Sequence, residues 1–256
     1  MVNQPTEGRW NRYKRINVML LAAVSMLLVL ILGGCGGGRP ATAADGAALN
    51  PAAVKEAILI VQNGVEEYQK KTGVPPIKNS TEDTPIYEKY VIDMRKLVER
   101  HMISQIPTIA FENGGTYQFV LVHPETNPEV KLLDVAAFQK TSDLQKKIAQ
   151  YAASNGGQLP QGDPVAPGYS RIDFTKLGVK EEQIRSPYSN QFITFVLSDK
   201  GEVGIDYALD IAMLVQKKSI LPGEQDDLRE LLVKEFPFIP VRSFPYRWIN
   251  QEPVVQ

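Results

Sequence analysis

Ile92, Asp93, Met94, Arg95, Lys96, Leu97 is matched about 80 residues later by Ile172, Asp173, Phe174, Thr175, Lys176, Leu177, and ten residues beyond each leucine stands a proline, Pro107 and Pro187. The match extends in both directions. Upstream, a helical pattern ends in a tyrosine-bearing turn and a proline-rich loop in each copy, Tyr68 to Pro76 and Tyr151 to Pro160. Downstream, Gln118, Phe119, Val120, Leu121 aligns with Thr194, Phe195, Val196, Leu197, and Glu129 to Asp134 aligns with Glu202 to Asp206. A period this long exceeds that of solenoid repeats, so it predicts two similar small modules of helix, loop, short helix and antiparallel β-hairpin, an α+β fold.

The local signals fill in that outline. Val54, Ile58, Val61, Val65 and Tyr68 recur at helical spacing after Pro51, and Gly73 ends the run. Asp93 and Asp173 stand where a strand passes into a short helix, where a carboxylate accepts from free amides of the first turn; a paired catalytic role is the sharper alternative. Asp199, Lys200, Gly201 predicts a tight hairpin turn, because glycine takes positive φ without penalty, whereas His123 to Pro128 predicts a longer loop.

Past the second hairpin, Tyr207 to Lys218 reads as a helix with Leu209 and Met213 turned inward, together with Ala212 and Leu214. Asp226 to Glu235 reads as another, with Leu228, Leu231, Leu232 and Phe236 on one face and two aspartates favourably placed at its start. From Phe236 to Trp248 the chain is too proline-rich for helix and too aromatic for a disordered tail. This extended strip either packs back along the domain, with Ile239 to Phe244 as an edge strand, or presents Phe238, Arg242, Tyr246, Arg247 and Trp248 as a contact surface. Tryptophan, tyrosine and arginine are the residues enriched at binding hot spots.

The N-terminus has a different character. Arg9, Arg12, Lys14 and Arg15 precede an apolar run from Val18 to Leu32, the order and length of an export signal and marginal for a membrane span, which needs about 20 apolar residues. Leu32, Gly33, Gly34 and Cys35 resemble the lipobox of bacterial lipoproteins: a leucine, two small residues and the cysteine that receives lipid. The resemblance implies cleavage before Cys35 and a thioether-linked diacylglycerol on Cys35, its acyl chains such as palmitate. It places the protein on the extracytoplasmic face of the cell membrane, its bilayer contact being the Cys35 anchor. Two or more chains are needed for lasting attachment. Gly36 to Asn50, with few side chains that can pack, reads as a flexible tether.

Two further resemblances concern the body of the chain. Leu97, Ile106, Pro107, the Gly114, Gly115 turn and Tyr117, Gln118, Phe119, Val120 resemble the globular part of type IV pilins and pseudopilins, with a weaker version from Ser186, Pro187, Tyr188 to Val196. The prepilin cleavage site and long assembly helix of those families are missing, so the resemblance bears on fold alone. The chain as a whole resembles small lipoproteins of Gram-positive spore formers whose function is uncharacterised.

The expected organisation is a signal peptide over 1–34, lipidated cysteine and tether over 35–50, a first α+β module over 51–138, and a second over 139–256 with C-terminal helices and the strip. Removing the signal leaves 24 basic and 28 acidic residues, a net of about −4, which argues against nucleic acid as a partner. Cys35 is the single cysteine, so a lipidated chain has no thiol for disulfide or metal chemistry. His101 and His123 read as solvated residues, and the chain carries no HExxH, GxSxG, P-loop or EF-hand pattern. The expectation is a non-enzymatic binding or structural module of the cell envelope, without metal or a cofactor beyond the lipid, whose partner is an envelope protein or polymer. A solute-binding lipoprotein of an ABC-type import system is the alternative, and an envelope hydrolase a third class.

Overall fold

Asn50 opens helix α1 (Pro51–Thr72) by accepting from the Ala52 amide through its side chain, and Gly73 at φ 80° closes it. The computed structural model describes residues 50–256; the signal sequence, Leu32, Gly33, Gly34, Cys35 and the tether up to residue 49 lie outside the described residues. The apolar face of α1 is the expected one: Val54, Val61, Val65 and Tyr68 are buried, with Ile58 packed beside them.

The rest of the first half follows the same logic. Ile77 bridges to Ile92, and Asp93 Oδ1 accepts from the Lys96 amide at the start of α2 (Met94–Glu99). A 3-10 turn (Phe111–Asn113) leads to the antiparallel pair β1 (Tyr117–Val122) and β2 (Glu129–Asp134). At Gly115 a Cβ would collide with the backbone of Ile109, so the entry to β1 requires glycine.

The second half begins with α3 (Val135–Ser154), whose first turn is capped by Asp134 donating no proton but accepting from the Ala137 amide at 3.0 Å. The helix starts four residues before the expected boundary at 139. Strands β3 (Gln161–Ala166), β4 (Tyr169–Ile172), β7 (Phe195–Ser198) and β8 (Val203–Ile205) form one antiparallel sheet in the order β3-β4-β7-β8, with β5 (Ile184–Arg185) and β6 (Phe192–Ile193) as a separate small pair. Pro164 sits at a register shift in β3, an edge strand, where its missing amide is tolerated.

Two helices and a hairpin complete the chain: α4 (Ala208–Lys218), α5 (Arg229–Glu235), and β9 (Tyr246–Ile249) paired with β10 (Glu252–Val255). Asn250 and Gln251 both take positive φ in the turn between the last two strands, as a two-residue hairpin turn of the primed type requires.

The fold is thus α+β. Several details differ from the sequence reading. In the second half Asp173 starts a series of turns and no helix; the residue corresponding to Val98 is Gly178, at φ 66°, and its amide closes back on the Thr175 carbonyl. The strand that leads into the second hairpin breaks at Thr194, between β6 and β7, where the Thr194 carbonyl accepts from the Asp206 amide. Leu209 and Met213 are exposed, not inward, while Leu214 is buried as expected, in a stripe with Ile211 and Val215 that obeys the helical period. The α5 helix is shorter than expected, starting at Arg229 because Asp227 turns back to accept from its amide.

Packing explains how the halves meet. Period-two alternation sends Phe119, Leu121, Val130 and Leu132 into a cluster with α1, and Val120, Val122 and Leu133 into a second cluster with α3 and the four-stranded sheet. The β1–β2 hairpin is therefore buried on both faces. The proline-rich strip closes the seam: Leu132 N donates to Pro237 O, Ile239 N to Leu132 O, and Ile205 N to Arg242 O, so one extended segment lines β2 and then β8. Gly204 makes room for it, since a Cβ there would lie 2.6 Å from the Phe244 ring.

Candidate functional site

The strip residues expected at a contact surface do not form one face. Phe238 is half-buried with its ring 5.5 Å from that of Tyr117. The Arg242 amide donates to Glu88 Oε1 at 2.6 Å, and its guanidinium stacks 4.2 Å over Phe138. Tyr246 is a core residue, 1% exposed; its hydroxyl donates to Asp206 and accepts from the Tyr207 amide, and a buried phenol needs such partners. This corrects its assignment as a contact. Arg247 reaches the Glu224 carbonyl and the Gln225 side chain, and Trp248 packs half-buried against the larger cluster.

A different set of residues converges nearby. Tyr87 lies before α2, His123 at the tip of the β1–β2 hairpin, and Glu230 in the first turn of α5, yet one carboxylate joins all three. Glu230 Oε1 accepts from the Tyr87 hydroxyl at 2.5 Å, and Oε2 lies 3.1 Å from His123 Nε2, which donates in the tautomer protonated there. The Arg229 guanidinium stands 5.0 Å over the Tyr87 ring and is itself held by Asp227 and the Ser243 carbonyl. His123 adopts φ 49°, an uncommon region for a residue with a Cβ.

Tyr87, His123 and Glu230 line an open recess of about 290 Å³ with Ile86, Tyr90 and Pro124 on its walls. Burial, then the hydrogen bond and the negative charge of Glu230, push the Tyr87 phenol well above its usual range, so it stays a donor. Aromatic walls, an exposed Ile86 and a carboxylate and imidazole held in place make a surface fitted to bind, with polar groups that fix orientation. The sequence reading placed His123 as a solvated loop residue, and it is exposed in the hairpin loop; it assigned nothing to Tyr87 or Glu230. The one local signal was a histidine before Pro124. His101, in contrast, is exposed in the turn after α2.

The fold is an α+β domain, and the recess in it has a mixed apolar and polar lining. The family model of the YphF family N-terminal domain matches residues 54–134. The matched segment runs from within α1 to the last residue of β2, so this chain is similar to that family over the first half of the fold and contributes Tyr87 and His123 from it. No curated protein and no solved structure matches the chain.

Proposed function

We propose that the protein is a membrane-tethered extracytoplasmic lipoprotein, anchored through Cys35, that acts without catalysis as a binding or structural module of the cell envelope. Its partner is an envelope protein or polymer. The observation that carries the binding role is the convergence of Tyr87, His123 and Glu230 from three separate parts of the chain on one open recess. Polar groups joined by hydrogen bonds beside exposed apolar surface suit recognition of a partner. The tether of Gly36 to Asn50 would let the domain reach such a partner from the bilayer.

Two measurements test it. Metabolic labelling with an alkyne fatty acid should mark the full chain and leave Cys35→Ala unlabelled; equal labelling of that variant overturns the anchor. A photocrosslinking residue at Ile86, 60% exposed on the rim, should capture one macromolecule in cells, and Glu230→Ala should abolish the adduct. No adduct, or one unchanged by Glu230→Ala, overturns the assignment of the recess.

A further inference from the structure

Three buried side-chain polar atoms lack a hydrogen-bond partner among the described residues: Ser170 Oγ, Asp210 Oδ2 and Arg242 Nε. Asp210 lines a groove. Asp210 is 2% exposed and sits in the first turn of α4; its Oδ1 accepts from Ser186 Oγ at 2.7 Å, which anchors the Ser186–Asn190 turn. Its other oxygen has no such use. The groove beside it has a volume of about 560 Å³ and apolar walls from Tyr188, Met213, Leu214 and Phe236.

The charged groups around the groove are of two kinds. Lys218 is engaged by Glu235 at 2.8 Å, whereas Lys217 makes no ion pair among the described residues. Lys217 lines the groove from the last turn of α4 and Asp210 from its first. The Tyr188 hydroxyl donates to the Phe238 carbonyl and Tyr207's to Val241, leaving Asp210 without a nearby donor beyond the serines.

We infer that this groove is a site for an α-amino acid with an apolar side chain, its ammonium on Asp210, its carboxylate on Lys217 and its side chain between Met213 and Phe236. Charge complementarity selects the class: a buried carboxylate oxygen without a donor needs a cation, and a lysine without a carboxylate takes an anion. Apolar walls between them select against a hydrophilic side chain. Burial holds the Asp210 carboxyl above its ordinary range in the free protein, Ser189 and Ser186 offsetting part of the effect and Asp206 adding to it. An ammonium at that oxygen would favour its ionised form. This site is separate from the recess at Tyr87 and does not depend on it.

Isothermal titration of the full chain in detergent with L-leucine, isopentylamine and 4-methylpentanoate tests the inference, the last two each lacking one charged group. Leucine should bind at least tenfold more tightly than either. Asp210→Asn should weaken leucine at least tenfold, and Lys217→Ala about tenfold. Met213→Trp, at a residue that is 42% exposed and lies at the mouth of the groove, fills the site without touching the core and should block binding even if Asp210→Asn fails to fold. Absence of leucine binding, equal binding of isopentylamine, or wild-type affinity in Met213→Trp overturns the proposal. Loss of the Ile86 adduct has no bearing on any of these outcomes.

Discussion

Gln62 on α1 and Gln145 on α3 hold their hairpins in the same way. Gln62 Nε2 donates to the Pro128 carbonyl at 3.0 Å and its Oε1 accepts from the Val130 amide at 2.7 Å; Gln145 Nε2 donates to the Gly201 carbonyl at 2.7 Å and its Oε1 accepts from the Val203 amide at 2.8 Å. The carboxamide is the one side-chain group that supplies both a donor and an acceptor in this geometry.

Replacing either glutamine with alanine leaves a part-buried carbonyl and amide unpaired, which costs about 1–3 kcal/mol. Gln62→Ala and Gln145→Ala should each lower Tm by several degrees in thermal unfolding. Gln145→Glu should be worse than alanine, because a carboxylate oxygen then faces the Gly201 carbonyl. A glutamate variant as stable as the wild type would show that the clamp contributes nothing.

The strip should be indispensable to folding. Truncation after Phe236 removes Ile239, Val241, Tyr246 and Val255, each 4% exposed or less, together with the backbone bonds to Leu132 and Ile205. Large-to-small changes at buried sites cost about 2–5 kcal/mol apiece, and a whole domain is stable by about 5–15. The truncated chain should show no cooperative unfolding transition. Tyr246→Phe is the milder probe: it removes the hydroxyl from Asp206 and the Tyr207 amide and should cost about 1–3 kcal/mol. A truncated protein with a sharp transition would return the strip to the role of an appended contact surface.

What could be read in the sequence was local. The cap at Asp93, the apolar stripe of α1 and the hairpin at Asp199 to Gly201 each depend on residues a few positions apart, and those contacts are present. Tyr87, His123 and Glu230 are separated by whole elements, so no window of sequence holds the pattern they make. The strip illustrates a second limit. Aromatic residues among prolines look alike whether they fill a seam or face a partner, and the choice is made by the open edges of β2 and β8. On α4, both Leu209 with Met213 and Ile211 with Leu214 satisfy a helical period; which stripe is buried depends on what the helix packs against.

Arg242 closes a small polar core at that seam. Glu88 is 6% exposed, accepts from the Arg242 amide and has its second oxygen 3.8 Å from the guanidinium Nε. Arg242→Ala leaves the carboxylate with its backbone partner alone and uncovers the Phe138 ring. Since the arginine is itself one-third exposed, the loss should fall below the 3–5 kcal/mol of a fully buried pair, at about 2 kcal/mol in chemical denaturation. Glu88→Gln with Arg242→Ala should recover part of it, because the neutral amide no longer needs a counter-charge. A double variant as unstable as the sum of its parts would show that the two side chains act independently.

Asp210 and Glu88 also set the pH dependence. Burial raises the carboxyl of each above its ordinary range, with neighbouring hydrogen bonds offsetting part of the effect. Between the unfolded value, about 4, and the higher folded value, the native state binds more protons than the unfolded chain. Stability from these two groups is therefore fully present below about pH 4 and is lost as pH rises through their folded values. Glu67, Asp143, Asp173 and Glu235 are shifted the other way, chiefly by hydrogen bonds from Lys71, Lys146, Thr175 and Lys218; their contribution is present above the ordinary carboxylate range and lost below it. The three held by lysines are solvent-exposed, so salt screens them, and the contribution of Asp173 is constant once pH is well above the ordinary carboxylate range. Denaturation curves at 0.5 M salt from pH 4 to 8 should isolate the buried pair, with the wild type losing stability as pH rises. Asp210→Asn keeps an acceptor for Ser186 and cannot ionise, so its stability should fall less steeply over that range. Parallel curves for variant and wild type would show that the Asp210 carboxyl titrates alike in the folded and unfolded chain.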